Sequence, residues 1–581
     1  MRRRIRSSLA LSLLMLAAGP AAAPVAAQDP AVGDVAARRL PLIPDACRSE
    51  QDARLAFGLC PDSTFDFYAA GEYRAEVPTP ESVLGYPIGS WHTTYGRMER
   101  YIEALAVAVP ERVRIFDYGT SIERQTQHLV VVGGERNIAR LDQIRAELAR
   151  LADPRVTSVA EARAIVEAGL PIGVWLNAAN DGNESAALEA VIQVAYQMAA
   201  GEDARTRMLR DSALVLINLA HNPESHERFV AWYNAFVMGD PDPAGLEHSA
   251  PWGMSTNNNH YQFDLNRDAL GLTQTETRNV AAAMQTWLPQ VFVDLHGQTT
   301  QMFFPPPAIP LNPVYPPFMG EWWERFGEAN ARAFDQHGWS YYVRDVFDLY
   351  YPGYWDTYPA LYGSTGMTYE TDGGGSKGVR WRRDDGTILR FADGIAHHFV
   401  ASLTTVETAA RNRTDRLLDF HEFFLAGIAI GREQAPRTVV IERRPARENI
   451  ADRLATMLLR HGIELARTTR NASFEGVGYL SGERSERTLP AGSYVVDLAQ
   501  PLGLLAHTLL VADVELPEAF ARQELAKYAR NARRAPGERE GYAFYDVTAW
   551  NLPLALGAPA AWSAEPVELP TSPVTLPAEA R

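Results

Sequence analysis

The sequence predicts an α/β fold: a mixed, mostly parallel sheet flanked by helices, followed by a smaller C-terminal α/β domain. Three observations carry that expectation. Pro171-Ile-Gly-Val-Trp-Leu176, Ala213–Leu219 and Gln290–Leu295 are short, almost wholly apolar runs, as expected of strands covered on both faces. Helix-patterned stretches such as 184–200 alternate with them, which is the signature of an α/β layer architecture. The pattern then restarts after residue 437, with the strand Thr438–Ile441 and a helix whose Ile450, Leu454, Met457 and Leu458 share one face and which Gly462 closes.

The elements follow in chain order. Residues 1–27 read as a signal peptide: Arg2-Arg-Arg-Ile-Arg6 is a basic start, Leu9–Ala18 a short apolar stretch, and Val25-Ala-Ala27 a small-residue cleavage site. The apolar stretch is too short to span a bilayer and Gly19-Pro20 interrupts it, so a secreted or periplasmic protein is expected, with no membrane span after signal removal. In such an oxidising compartment the two cysteines, Cys47 and Cys60, are expected to form one disulfide. They lie in a Pro-, Ala- and Asp-rich lead-in segment, 28–89. Met98, Ile102, Leu105 and Val109 then line one face of a helix that Pro110 ends. Val113–Phe116 and His128–Val132 read as strands. A first domain is expected over 90–430, ending in a long helical stretch from Ala396 to Ile430. After a linker at 431–436 comes the C-terminal domain, 437–560, and then a Pro-rich tail, 561–581.

Composition bounds the function. The chain has 581 residues, 46% hydrophobic and 22% charged, which is ordinary for a globular protein with a sizeable core. A formal net charge of -16, with no basic stripe, argues against a nucleic-acid partner.

Four short segments of the first domain concentrate reactive side chains: Asp181-Gly-Asn-Glu184, Phe263-Asp-Leu-Asn-Arg-Asp268, Val293-Asp-Leu-His-Gly-Gln298 and Met367-Thr-Tyr-Glu-Thr-Asp-Gly373. Singly, each has a structural explanation. Asp181 suits a helix N-cap, Glu184 suits a first helical turn, and Arg267 suits a surface ion pair. The first and third segments follow strands, where sites gather in open α/β sheets.

Their order is more specific. An acid pair with Glu184, then Asn266-Arg267, then His296 after a strand, then Thr-Tyr-Glu370 resembles the zinc carboxypeptidases of the carboxypeptidase A type. The segments "TYGRMERYIEALAVAVPERVRIFDYGTS", "LVLINLAHNPESHERF" and "YPGYWDTYPALYGSTGMTYE" also look like that family, and the likeness covers roughly residues 90 to 430. Within it, the chain is most similar to the larger exported bacterial members, and "YVVDLAQP" and "FYDVTAWNLPLALG" look like their extra domain.

The resemblance implies a metal-dependent peptidase that releases C-terminal residues from peptides. Glu184 and His296 would ligate one zinc ion, and Glu370 would be the general base that shuttles a proton from water to the leaving amine. Arg267, with Asn266, would bind the free C-terminal carboxylate of a peptide or peptide-like substrate.

One position departs from the family, whose first ligand is a His where this chain has Asp181. His221 and His260 are the other nearby histidines, but ligand geometry is set by the strand-end turn, which favours Asp181. The family His is expected to bind through Nδ1, which is two bonds from Cβ, as is an Asp Oδ, so reach is kept. Charge is not kept, and an oxygen-richer site could take another divalent metal such as Mn²⁺. The carbonyl-polarising Arg is missing at its usual spacing, with Arg228 the nearest candidate, and Tyr350, Tyr351, Tyr354 and Tyr358 all remain open as the substrate-side Tyr. Two alternatives follow: a non-catalytic peptide or cell-wall binder, and an amidase or deacylase on the same scaffold.

Overall fold

Successive side chains of a strand point to opposite faces of the sheet, and the central strands supply two separate cores in that way. The computed structural model describes residues 65–237, 256–298, 300–372, 378–382, 388–545 and 549–576. The expected signal peptide, Cys47, Cys60 and most of the lead-in segment lie outside the described residues. Among the described residues, twelve strands precede residue 391: β1 (Val113–Thr120), β2 (Thr126–Val132), β3 (Ile172–Ala178), β4 (Ala213–Asn218), β5 (Val291–Gln298), β6 (Met302–Phe303), β7 (Ala308–Leu311), β8 (Tyr341–Tyr342), β9 (Asp348–Leu349), β10 (Thr365–Asp372), β11 (Arg380–Arg382) and β12 (Ile388–Arg390). Eight of them form the main sheet in the order β1-β2-β4-β3-β5-β10-β6-β8. Its centre, β4-β3-β5-β10, is parallel. Strands β1, β2 and β6 join it antiparallel. The expected mixed, mostly parallel sheet flanked by helices is therefore present.

Val174, Leu176, Val291, Val293, Leu295, Met367 and Tyr369 face one core, where the buried helix Ala186–Ala200 packs. Trp175, Leu216 and Phe292 face the other. On that second face lie Trp355, Tyr358 and the helix Arg413–Glu433, and the same core continues into Val439, Leu454, Leu458, Val496 and Leu505. The expected single helical stretch of 396–430 is two helices, Phe391–Arg411 and Arg413–Glu433, joined at Asn412, and the second runs three residues further than expected.

The remaining strands, β13 (Thr438–Ile441), β14 (Leu465–Thr468), β15 (Ala472–Gly478), β16 (Arg484–Leu489), β17 (Tyr494–Asp497), β18 (Ala560–Ser563) and β19 (Thr571–Val574), form a second sheet in the order β16-β15-β18-β13-β17-β14-β19. Its pairings are antiparallel. The stretch expected as a tail supplies β18, which sits between β13 and β15, and the edge strand β19. Ala560-Ala-Trp-Ser is too short to show a period in sequence. Pairing with β13 on one side and β15 on the other gives its backbone groups partners.

The two sheet units meet at His461. Its Nδ1 lies 2.9 Å from Tyr358 Oη and its Nε2 2.9 Å from the Leu270 carbonyl oxygen, while Tyr362 Oη donates to the His461 carbonyl at 2.7 Å. Burial pushes this imidazole from its ordinary 6.5 down to about 4. A histidine held neutral in this way stabilises the fold fully above about pH 6.5, and that stability is lost as pH falls from there toward 4.

The loop after β3 is fixed by close backbone approach. His221 N–H donates to Ala178 O at 2.8 Å and Asn222 N–H to Ala179 O at 2.9 Å, while Ala179 itself takes φ 49°. A Cβ on Gly182 would lie 2.1 Å from His226 N and 2.5 Å from the Ser225 carbonyl carbon, so only glycine fits. Gly182 N–H donates to Ser225 Oγ at 3.2 Å, and His226 Nδ1 is 3.0 Å from Gly182 O.

Two outcomes are expected. Gly182→Ala forces the 181–184 turn off the 222–226 turn and destabilises the protein by about 2–4 kcal/mol, read as a lowered unfolding midpoint. Between pH 7 and pH 5, wild-type protein loses on the order of 2 kcal/mol through His461. His461→Gln flattens that slope in denaturant titrations at the two pH values; an equal slope in both proteins contradicts the assignment.

Candidate active site

A row of polar side chains crosses the carboxyl ends of the parallel strands. Asn218, Asn177, Asp294 and Thr368 are successive register partners on β4, β3, β5 and β10. Tyr118 Oη donates to Asn218 Oδ1 at 2.7 Å, Asn218 Nδ2 to Asn177 Oδ1 at 2.6 Å, and Asn177 Nδ2 to Asp294 Oδ1 at 2.7 Å. Asn180 Nδ2 donates to the other Asp294 oxygen at 3.0 Å. These buried groups satisfy one another in a chain, which is what allows a carboxylate to sit inside a sheet.

Asp294 and His296 are two apart on β5 and so share a face. The Asp294 Oδ2 lies 2.7 Å from His296 Nε2, and Asn266 Nδ2 lies 3.2 Å from the same nitrogen. The other ring nitrogen, Nδ1, faces the turn after β3: it is 2.8 Å from Glu184 Oε2 and 3.4 Å from Asp181 Oδ2. One ligand-type atom from each of Asp181, Glu184 and His296 lies within 4.8 Å of the others. Asp181 does not cap a helix: Ser185 is the N-cap residue of Ala186–Ala200, without a side-chain cap bond. Instead Asp181 Oδ1 is buried with no hydrogen-bond partner among the described residues.

The electrostatics point the same way. Burial pulls the His296 imidazole toward neutrality, but the carboxylates of Asp294, Glu184 and Asp181 outweigh it and hold its pKa well above the ordinary value. Burial pushes the Glu184 carboxyl up to about 7, with His296 opposing. An orphaned carboxylate oxygen, a second carboxylate and an imidazole nitrogen turned toward both form a pocket that favours a cation. Such a donor set suits a divalent metal.

Glu370 is the register partner of His296 on β10, one strand spacing of about 4.8 Å away. Burial first, and the like charge of Glu184 second, raise its pKa well above the usual carboxylate range. It lines a narrow cavity with Asn266, His296, Tyr354, Thr368 and Tyr545. The Asn266 Oδ1 accepts from the Trp355 N–H at 3.1 Å, and its Nδ2 lies beside His296 Nε2. Arg267 is half-buried, and its guanidinium carbon lies 4.6 Å from the Tyr354 ring centre.

The other candidates fall elsewhere. His221 is buried edge-on against Trp355, with burial pushing its pKa down to about 4. His260 and Arg228 both bond to Glu123, and Arg228 also donates to the carbonyl oxygens of Asn258 and Asn259. Of the four tyrosines, Tyr358 is buried against His461 and Tyr350 packs on Trp550. Tyr351 Oη reaches the Arg267 carbonyl at 3.4 Å, and Tyr354 alone of the four lines the cavity with Glu370. Sequence reasoning missed Asp294, Asn177, Asn180 and Tyr545. The i, i+2 spacing of Asp294 and His296 on an apolar strand was a usable signal for the first; the others depend on pairing between distant segments.

Comparisons with known proteins bear on this arrangement. No curated protein matches the chain. Among solved structures, a metallo-carboxypeptidase from Burkholderia cenocepacia is similar at 15% identity and a TM-score of 0.37, covering 56% of this chain and 69% of that one. A metallo-carboxypeptidase from Pseudomonas aeruginosa matches at 16% identity and a TM-score of 0.37, over 56% and 70%. Carboxypeptidase A from Helicoverpa armigera matches at 13% identity and a TM-score of 0.37, over 58% and 79%. The family model for zinc carboxypeptidases matches residues 98–391, half of the chain. That stretch contains the parallel strands and the turns at their carboxyl ends, and the chain belongs to the zinc carboxypeptidase family.

Proposed function

We propose that the protein is an exported metal-dependent carboxypeptidase that removes C-terminal residues from peptides. The observation that carries this reading is the meeting of Asp181, Glu184 and His296 within 4.8 Å, with Glu370 on the neighbouring strand. Export rests on the basic-apolar-small pattern of residues 1–27. No helix among the described residues is long and apolar enough to cross a membrane.

Asp181, Glu184 and His296 would hold the ion, zinc by family or another divalent metal. When bound, it supplies Lewis-acid polarisation of a carbonyl and acidifies water. The chain's own groups do the rest. Asp294 accepts from His296 Nε2, so that Nδ1, which faces Asp181 and Glu184, would be the nitrogen that gives its lone pair to an ion. Glu370, buried and raised by its neighbours, holds or releases a proton at its carboxyl as the attacking water and the leaving amine require. Arg267 offers a guanidinium fork to a terminal carboxylate, with Tyr354 stacked beside it. Asn266 accepts from the Trp355 N–H and lies beside His296, so its part is to shape the site.

Asp181 in place of the family's His changes the charge balance. Two carboxylates and one neutral imidazole would formally cancel a dication, so Asp181 and Glu184 would hold a less electrophilic ion and better tolerate a harder one.

Two experiments test the reading. Glu370→Gln is expected to keep bound metal but to lower C-terminal residue release about 10²–10⁴-fold; unchanged release from a peptide panel sinks the assignment. Asp294→Asn is expected to weaken metal affinity about 10–100-fold, measured by competition with a chelator of known affinity, and equal affinity in both proteins rules out the proposed orientation of His296.

A further inference from the structure

Tyr545 lies far beyond the residues that match the family, in the segment after the helix Glu518–Asn531 of the second sheet unit. It nevertheless lines the cavity that holds His296 and Glu370. Its ring centre is 5.8 Å from the Arg267 guanidinium carbon, 5.7 Å from the Tyr354 ring and 5.3 Å from Phe347. Its backbone N–H points to Asp348 Oδ2 at 3.4 Å. Arg267 is thus covered by two aromatic rings, one from each unit.

The segment is anchored on both sides. Phe544 packs on Phe520 at 4.9 Å, and Ala543 N–H donates to Glu524 Oε2 at 2.9 Å. Further along, Trp550 packs on Tyr350 at 5.0 Å and donates from Nε1 to Thr508 O at 3.0 Å. Tyr545 is therefore held against the site by packing, not by its own contact alone. Inside it, the cavity beside Glu370 has a volume of about 20 Å³, room for roughly one water molecule.

We propose that Tyr545 is a specificity-determining residue contributed by the second sheet unit, which walls the Arg267 subsite and selects against bulky C-terminal side chains. The proposal rests on Arg267 as the carboxylate-binding group. A terminal residue seated on Arg267 would lie beside the phenol ring, whose centre is 5.8 Å from the guanidinium carbon. A glycine or alanine takes little of the space there, and an aromatic or long side chain takes most of it. The hydroxyl interacts with Arg267, and the bulk of the ring sets this limit.

The test uses the full chain with N-acetylglycine and N-acetylphenylalanine as carboxylate probes, measured by titration calorimetry, so that it does not depend on turnover. Wild-type protein is expected to favour N-acetylglycine. Tyr545→Ala shifts the affinity ratio about tenfold or more toward N-acetylphenylalanine, and Tyr545→Phe keeps the wild-type ratio. Arg267→Ala loses both probes. An unchanged ratio in Tyr545→Ala, or the same shift in Tyr545→Phe, overturns the role of the ring while leaving the Arg267 assignment standing. Retained affinity for both probes in Arg267→Ala, or no binding of either probe by wild-type protein, overturns the carboxylate subsite and the proposal with it.

Discussion

A carboxylate buried in the middle of a parallel sheet must be paired, and Asp294 meets that demand through two amide donors and an imidazole. Asn177 and Asn180 donate to its oxygens, Asn218 and Tyr118 extend the chain, and His296 faces it from two residues along the same strand. The cost of leaving any of these groups unpaired is about 1–3 kcal/mol, more for the charged one. The strand register across β4, β3, β5 and β10 is therefore tied to the network. The same contact that satisfies Asp294 turns the other nitrogen of His296 toward Glu184 and Asp181. The candidate metal pocket and the sheet's polar row are one construction.

The turn carrying Asp181 and Glu184 depends on a second constraint, the approach of the 222–226 turn to Gly182. That contact leaves Asp181 facing the pocket rather than the helix start, with one oxygen unpartnered. An orphaned buried carboxylate oxygen is unfavourable by itself. Its carboxylate partner, Oδ2, lies 3.4 Å from an imidazole that three carboxylates surround, an arrangement that favours positive charge. Asp181, Glu184 and His296 thus form a group that could hold a metal ion.

The second sheet unit packs on the face of the main sheet that carries Asp294, His296 and Glu370. A continuous apolar core joins them, from Trp175 and Phe292 through Tyr358 to Leu454 and Leu505. His461 fits into that seam as a neutral ring between Tyr358 and the Leu270 carbonyl. Tyr545 reaches Arg267 because the unit is docked on this side.

Much of the fold was legible in the chain's own periodicity. The apolar runs at Ile172–Leu176, Ala213–Ile217 and Val291–Val293 are buried strands, and Met98, Ile102 and Leu105 are the buried face of a helix. A period of two or of 3.6 residues is local, so a single sequence displays it. Family membership was legible too, through the order of Glu184, Arg267, His296 and Glu370, and the structure brings Glu184 and His296 together. Short elements without a period were not: β18 is recognisable only once β13 and β15 stand on either side of it. Nor could the sequence say that Asn266 would turn to His296, that Arg228 and His260 would pair with Glu123, or that Tyr545 would cover Arg267. Those contacts join residues tens to hundreds of positions apart, and they exist only because sheet register and the docking of two apolar faces bring them together. Local hydrophobic pattern determined which strands and helices form; long-range packing and the pairing of buried charge decided which side chains meet.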